Sequence, residues 1–342
     1  MGFFNHQGED TMIEIHLQHL QQNLNYYRTS GKKIIGVVKN NAYGHGAVAI
    51  SQALIRFGID YLFVNEIEEA LPLVEAGIQT PILIHNSVDP SEYPLLKKYP
   101  NLVVTLNSYQ DYLHLLADPK TDLIRVHIQV NTKMNRIGIK DWAEFKHLIE
   151  MLKVHPKFKI EGIYTHFISV EAVNEQLAIF QRYLEVYPFP MVHCAATSTA
   201  FCCNVGNYAR IGLGLYDATP LMRVVVKPIK IQILEVGESI GYQGKYIAKE
   251  KEYIAVLPIG YGDGYSRRFE GFHVWSDGHF YDIVGRICMN HTFVKVDKHI
   301  TTDHVFELLS LRLPAKDLAL YAGFIPYEVY TNWQYRKVRY LS

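Results

Sequence analysis

The sequence contains no apolar run near the length of about 20 residues that a membrane-spanning helix requires. Its N-terminus lacks the basic segment followed by an apolar one that marks an export signal. Only four cysteines occur, without CxxC or disulfide-like spacing, and the 34 Lys+Arg balance the 34 Asp+Glu. We therefore expect a reduced, cytoplasmic protein that attracts neither nucleic acid nor a membrane and whose partners are small polar metabolites.

Short β-branched runs alternate with amphipathic segments over the first two thirds of the chain. In those segments apolar residues recur three and four positions apart, as in helices that cover a sheet. Eight such units predict an α/β fold, a (β/α)8 barrel of the TIM type, in which chemistry takes place at the carboxyl ends of the strands. The predicted strands are 34–38, 61–64, 81–84, 102–106, 123–130, 160–164, 191–193 and 211–215.

After residue 221 the pattern changes to short strands separated by Gly, Asp and Asn turns, which predicts a compact, mostly antiparallel β domain. A short helix is predicted at 314–321. We place the barrel at residues 12–221 and the β domain at 222–342, with residues 1–11 as a candidate addition to the latter. The predicted strands of the β domain are 224–234, 253–257, 272–275, 281–284 and 292–296.

Lys39 lies at the end of the first apolar run and opens a glycine-containing loop, in the segment VVKNNAYGHGA at residues 37–47. A strand that delivers a lysine to its carboxyl end, with Tyr43 four residues later, is what a Schiff-base enzyme needs. The local pattern alone also fits a solvated lysine at a strand end. Residue for residue, however, the segment resembles the cofactor-lysine motif of the alanine racemase family.

The resemblance extends from about Glu14 to Tyr340 and rests on a series of separate motifs in a fixed order. Any one of them could occur by chance, but the series could not. The motifs after Lys39 are MNRIG at 134–138, YTHF at 164–167, HCA at 193–195, RIGLGLY at 210–216, GYQG at 241–244, IGYGDGY at 259–265, GRICM at 285–289, PYE at 326–328 and RKVRY at 336–340.

The resemblance implies an enzyme that interconverts L- and D-alanine with pyridoxal 5'-phosphate bound to Lys39. Racemisation removes a proton from one face and returns one to the other, so two bases are expected. By resemblance they are Lys39 and Tyr242 of the neighbouring subunit, which implies a homodimer with shared active sites. His166 would lie between that tyrosine and Arg210. Arg210 would face the pyridine nitrogen and, because an arginine keeps its proton, leave that nitrogen largely unprotonated.

The remaining site residues also follow from the resemblance. Arg136 would hold the phenolate oxygen of the cofactor and the substrate carboxylate, Met289 of the second subunit would add its backbone N–H, and Tyr261 would line the entrance. No metal site is expected. The phosphate would be held by Tyr43, Thr197, the backbone N–H groups of Gly212 and Leu213, and Tyr327.

The sequence also departs from the family pattern. These departures concern the support of Arg136, the entrance and the surroundings of the phosphate, and they leave open a divergent paralogue with altered specificity. They are Gln129 in place of a lysine able to form a carbamate, Asn131 in place of aspartate, Lys133 in place of glycine, Ala196 in place of asparagine, and Asn290 and His291 in place of Asp and Gln.

Three functions compete. The first is an amino-acid racemase with alanine as the leading substrate and serine or a broader range of small amino acids as the alternative. The second is a decarboxylase on a related scaffold, but those enzymes place a glutamate at the ring nitrogen, where this chain has Arg210. The third is a non-catalytic pyridoxal-phosphate carrier; those chains end with the barrel, which leaves the segment with Tyr242 and Met289 unexplained.

Overall fold

The computed structural model describes residues 11–118, 123–334 and 337–342. These form two compact units, one of residues 20–218 and the other of residues 11–19 and 219–342. None of the helices in the described ranges is long and apolar enough to span a membrane.

The first unit is a parallel sheet that curls into a nearly closed barrel. The first strand, Lys33–Val37, pairs with the last, Tyr208–Ile211, and the two edges of the sheet are separated along the chain only by Cys194. Leu102–Leu106 is buried at every residue, as expected for a parallel strand covered on both faces. The predicted barrel is confirmed. Its strands in the described chain are Lys33–Val37, Leu62–Val64, Ile82–Ile84, Leu102–Leu106, Ile124–Gln129, Phe158–Tyr164, Met191–His193, Ala195–Ala196 and Tyr208–Ile211.

Helices follow most of these strands, and their apolar faces are buried. A left-handed turn, Lys39–Gly44, follows the first strand. The helices of the described chain are Leu17–Arg28, Ala47–Arg56, Ile67–Glu75, Tyr93–Lys98, Tyr109–Ala117, Trp142–Val154, Val173–Leu184, Leu213–Asp217, Ala315–Ala322 and Pro326–Thr331.

The prediction of a strand at 211–215 is wrong. The strand ends at Ile211, and the short helix Leu213–Asp217 follows, with the Leu215 N–H donating to the Gly212 carbonyl at 2.8 Å. Its apolar residues are buried as a helix would bury them, and a short apolar run does not by itself distinguish the two structures.

The second unit contains a mostly antiparallel sheet, as predicted, in which Thr11–His16 and Val338–Leu341 form a parallel pair. The predicted strand 224–234 divides in two around Pro228, which has no N–H to give to a sheet. The strands are Thr11–His16, Met222–Val226, Lys230–Leu234, Glu252–Leu257, His273–Ser276, His279–Val284, Thr292–Val296, Phe306–Leu309 and Val338–Leu341, with a separate ribbon of Ser239–Ile240 and Tyr246–Ile247.

The predicted start of the barrel at residue 12 needs correction. The strand Thr11–His16 pairs with Met222–Val226 along its length, so residues 11–19 belong with the β unit. Its alternating burial fits a strand with one face on a core. Residues 1–10, the rest of the predicted N-terminal arm, and Arg336 of the last motif lie outside the described residues.

Candidate active site

The candidate residues of the barrel lie where the chemistry of such barrels is found, at the carboxyl ends of the strands. Lys39 comes two residues after the strand Lys33–Val37, and His166 two residues after Phe158–Tyr164. Arg210 belongs to the strand Tyr208–Ile211, and Gly212 follows it directly.

Lys39 is followed by four residues in the left-handed region. Asn40, Asn41, Ala42 and Tyr43 have φ between 49° and 53°, which costs a residue such as Ala42 or Tyr43 roughly 1–2 kcal/mol and an asparagine less. Surrounding hydrogen bonds hold this turn. The Asn40 N–H donates to Glu69 Oε1 at 2.7 Å, and the Ala47 N–H donates to Asn41 Oδ1 at 2.8 Å. Such strain persists only where neighbours determine it, as at functional sites.

The surroundings of Lys39 favour its neutral amine. Burial, and next the charge of Arg136, lower the pKa of Lys39, while Glu69 opposes the shift. Because a Schiff base forms from the neutral amine, a lowered pKa activates this lysine at neutral pH.

Arg210 is 5% exposed and is fixed from both sides of its guanidinium. Nη1 donates to His193 Nδ1 at 2.8 Å and to the His193 carbonyl; Nη2 donates to the Thr165 carbonyl at 2.8 Å and to His166 Nδ1 at 3.3 Å. The guanidinium also lies 4.9 Å from the centre of the Tyr164 ring. Burial lowers the pKa of Arg210 to about 10, so it remains a cation at neutral pH.

His166 is held neutral by its neighbours. Burial, followed by the charges of Arg210, Arg136 and Lys39, lowers the pKa of His166 to about 3. Because Arg210 donates to Nδ1, the proton of the neutral ring is on Nε2. The predicted contact between Arg210 and His166 is present.

Arg136 contacts a residue that sequence reasoning did not select. Its Nη2 lies 3.3 Å from His85 Nε2, and His85 Nδ1 lies 3.0 Å from the Tyr164 hydroxyl. An arginine only donates, so His85 carries its proton on Nδ1 and donates it to Tyr164. Burial, then Arg136, lowers the pKa of His85 to about 3. His85 is a lone histidine after an apolar strand, with no motif around it to signal a role.

The loop that carries Arg136 is shaped by one of the departures from the family pattern. Asn131 Oδ1 accepts from the N–H groups of Lys133 and Asn135 at 3.1 and 3.0 Å. Lys133, the next departure, forms an ion pair with Glu175. Gln129 is 3% exposed, and its Oε1 has no hydrogen-bond partner among the described residues.

The predicted phosphate-binding residues of the barrel also meet. A Cβ at Gly212 would lie 2.2 Å from the Tyr43 hydroxyl oxygen, so only glycine fits beside that side chain. Thr197 Oγ1 accepts from the N–H groups of Gly212 and Gly214 at 3.3 and 3.2 Å. The structure thus places a threonine hydroxyl, a tyrosine hydroxyl and backbone N–H groups at one loop.

Four candidate residues belong to the β unit, and all have exposed side chains: Tyr242 (69%), Tyr261 (45%), Met289 (56%) and Tyr327 (40%). Tyr261 and Met289 are brought together, because the N–H groups of Tyr261 and Gly262 donate to the carbonyls of Cys288 and Met289 at 3.1 and 2.8 Å. Asn290, one of the departures, lies at the same loop, with its Nδ2 3.4 Å from Asp263 Oδ2.

Both parts of the chain match known families. The alanine racemase N-terminal domain matches residues 15–220, and the alanine racemase C-terminal domain matches residues 221–341. The alanine racemase of Geobacillus kaustophilus is 32% identical over 361 positions, which cover 96% of this chain and 94% of that protein. The alanine racemase of Limosilactobacillus fermentum is 32% identical and covers 88% and 89%.

Solved structures of alanine racemases have the same fold as this chain. The alanine racemase of E. faecalis has a TM-score of 0.92 at 30% identity and covers 100% of both chains. That of Bacillus anthracis, solved with bound L-Ala-P, has a TM-score of 0.90 at 25% identity and covers 100% of this chain and 96% of that one. Fold, site and matches define an enzyme of the amino-acid racemase class. The chain belongs to the alanine racemase family.

Proposed function

We propose that this protein interconverts L- and D-alanine with pyridoxal 5'-phosphate, using Lys39 on one face of the substrate and Tyr242 of the partner subunit on the other. The arrangement that carries the proposal is Lys39, with a lowered pKa, at the same carboxyl end of the barrel as the hydrogen-bonded pair of buried Arg210 and half-buried His166, in a chain of this family. It would work as a cytoplasmic homodimer with shared active sites.

The residues at this end of the barrel fit the cofactor. The glycine at 212 keeps the backbone uncovered beside the hydroxyls of Tyr43 and Thr197, as close approach of a phosphate requires. Lys39 Nζ would attach the cofactor, whose ring would supply a place for the negative charge that loss of the α-proton leaves on the substrate. Leu213 would add its backbone N–H to the phosphate contacts, and Tyr327 a hydroxyl.

The protein's own groups would then guide the proton. Arg210 only donates, so if it faces the ring nitrogen of the cofactor it would leave that nitrogen without a proton, which would make the ring a weaker electron sink. This favours rapid return of a proton over side reactions. His166, with its proton on Nε2, would stabilise the phenolate oxygen of Tyr242 of the partner subunit by donating to it. Arg136 would hold the substrate carboxylate together with the backbone N–H of Met289 of the partner subunit.

The exposure of Tyr242 and Met289 supports their use by another chain, because side chains that complete a partner's site must be open to it. Tyr261, at the same loop as Met289, would line the entrance. Tyr327 would narrow the pocket over the substrate side chain, which favours a methyl group.

Chiral chromatography of the cofactor-loaded protein, incubated separately with L-alanine and D-alanine, tests the proposal. Both reactions should converge on equal amounts of the two enantiomers, because these have equal free energies. The Lys39→Ala variant should show no conversion and lack the visible absorption that borohydride abolishes in the wild type. Cofactor-loaded wild-type protein that leaves L-alanine unchanged would contradict the proposal.

A further inference from the structure

A line of buried hydrogen bonds crosses the barrel interior from the candidate active site to the amino ends of the strands. Beyond Arg210, His193 Nε2 lies 2.8 Å from His127 Nδ1, and His127 Nε2 lies 3.2 Å from the Tyr61 hydroxyl. The Tyr61 hydroxyl is 3.3 Å from Glu161 Oε2. All five residues are at most 8% exposed, namely Arg210, His193, His127, Tyr61 and Glu161.

We propose that Glu161, Tyr61 and His127 are positioning residues that act through His193 to fix the orientation of Arg210 toward the cofactor's ring nitrogen. This inference rests on the proposed function for the role of Arg210. The hydrogen-bond chain itself is a property of the protein alone.

The direction of every hydrogen bond in the chain follows from its two ends. Arg210 can only donate, so His193 Nδ1 accepts and its proton is on Nε2. His193 Nε2 donates to His127 Nδ1, so the proton of His127 is also on Nε2 and goes to the Tyr61 oxygen. Tyr61 then donates to Glu161, which as a carboxylate only accepts. A single pair of tautomers satisfies all four links.

Two cationic side chains hold Glu161, the residue of the hydrogen-bond chain that lies farthest from Arg210. Arg125 contacts both oxygens of Glu161 at 2.8 Å, and Lys159 Nζ lies 3.1 Å from Oε1. Burial alone would raise the pKa of Glu161, but the hydrogen bonds and charge of Arg125 lower it, which keeps the carboxylate ionised. Burial, and next Glu161, raise the pKa of Tyr61 well above its usual value, so its hydroxyl keeps the proton it donates.

The glycine at position 162 leaves space for the His127 ring of the hydrogen-bond chain. A Cβ at Gly162 would lie 2.6 Å from two ring atoms of His127, and the register between the strands Ile124–Gln129 and Phe158–Tyr164 shifts between Val126 and His127. A side chain at 162 would displace the imidazole. Burial lowers the pKa of His127 to about 3, so the ring is neutral, as the chain requires.

A break at the far end would reach Arg210 through the tautomers. Without the Tyr61 hydroxyl, the His127 Nε2 proton loses its buried acceptor, which favours moving that proton to Nδ1. His127 Nδ1–H would then face His193 Nε2–H, and relief of that contact would move the His193 proton to Nδ1. On Nδ1 the proton would oppose the N–H of Arg210, so the guanidinium would lose one of its four hydrogen bonds and its orientation would be fixed less firmly.

Two variants and one control test this sequence of events. Tyr61→Phe removes the hydroxyl, and Glu161→Gln removes the charged acceptor, which keeps the test intact if one of them folds poorly. Tyr112→Phe is the matched control, because Tyr112 is also fully buried in the barrel unit but its hydroxyl has no partner among the described residues.

Protein with 15N-labelled histidine reports the tautomers directly, with or without cofactor. We expect His127 and His193 of the wild type to be neutral with the proton on Nε2, and both variants, but not Tyr112→Phe, to shift the signals of His193. In cofactor-loaded enzyme both variants should change the visible absorption band and lower kcat by about 2- to 30-fold, with KM nearly unchanged.

Two results would overturn the inference. One is a wild-type proton on Nδ1 of either histidine; the other is an unmoved His193 signal in Tyr61→Phe and Glu161→Gln together with the absorption and kcat of Tyr112→Phe. Failure of the proposed function looks different, because wild-type protein would then leave alanine unchanged. The His193 signals decide the present inference in that case as well: a shift supports it, and no shift rejects it.

Discussion

Replacement of Gly212 by alanine is a direct test of the packing between the left-handed turn Lys39–Gly44 and the residue that joins the strand Tyr208–Ile211 to the helix Leu213–Asp217. The added Cβ would lie 2.2 Å from the Tyr43 hydroxyl oxygen and 2.9 Å from Cζ of the same ring. Tyr43 is 7% exposed, and its ring centre lies 5.0 Å from that of Tyr216, so it cannot simply turn into solvent. It is also the last of the four non-glycine residues with positive φ that follow Lys39.

The magnitude follows from the overlap. The contact between the new Cβ and Tyr43 is the part of the strain of Gly212→Ala that a change at Tyr43 can relieve. Overpacking of a dense interior costs about 1–3 kcal/mol. Tyr43→Phe removes the hydroxyl oxygen that the new Cβ would meet but keeps the ring carbon behind it, so the double variant should recover part of this cost. We expect a coupling of at least about 0.5 kcal/mol between the two positions.

Urea unfolding of the cofactor-free wild type, both single variants and the double variant measures this coupling. Titration with pyridoxal phosphate should show weaker binding to Gly212→Ala, because displacement of Tyr43 also disturbs the turn after Lys39. If Gly212→Ala has the same effect in the wild type as in the Tyr43→Phe variant, the contact is refuted as the cause.

The remaining predictions concern the reaction and the buried histidines. Tyr242→Phe should slow racemisation about 10²–10⁴-fold in both directions while the cofactor stays attached; a nearly wild-type rate would exclude Tyr242 as a base. Mixing Lys39→Ala with Tyr242→Phe chains should restore activity when subunits exchange, and no recovery despite proven exchange would mean that Tyr242 acts in its own chain or not at all. Alanine should have the highest kcat/KM, with serine measurable and lysine negligible, unless the departures at the entrance set the specificity. Burial lowers the pKa of His85, His127 and His166 from 6.5 to about 3, so below pH 6.5 the unfolded chain binds protons that the folded one does not. In urea unfolding, the free energy of unfolding should therefore decrease as the pH is lowered from 7 to 5, by up to about 1.4 kcal/mol per pH unit for each histidine. A free energy of unfolding that does not change over this range would contradict the neutral state of these histidines in the folded protein.

Much of the architecture could be predicted from the sequence, because a parallel strand buried on both faces is a continuous apolar run, as at Leu102–Leu106. The strands of the β unit were harder to predict. Phe306–Leu309 is buried at every position although Glu307 occupies one of them, where Arg223 supplies the compensating charge from another strand. A charge within a short run argues against a buried strand until its partner is known.

The residues of the candidate site likewise include some that could be predicted from the sequence and some that could not. Arg210 and His166 could be selected because each lies in a motif, and the structure brings them within 3.3 Å. His85 and Glu69 could not, because no motif surrounds them and the contacts that bring them to the site are with residues distant in sequence, Arg136 in one case and the Asn40 N–H in the other.

The surroundings of Arg210 show why its distant partners matter. In the described chain its hydrogen bonds go to neutral acceptors, namely the imidazoles of His166 and His193 and the carbonyls of Thr165 and His193. A carboxylate beside the guanidinium would offset the cost of burying the charge more fully, but it would also draw the cation toward itself and away from the ring-nitrogen site. Glu161 is separated from Arg210 by the hydrogen-bonded side chains of Tyr61, His127 and His193. The barrel therefore compensates the charge of Arg210 through aligned N–H and O–H dipoles. This leaves the guanidinium directed at the active site. The residues of that arrangement come from separate segments of the sequence, so no local motif predicts it.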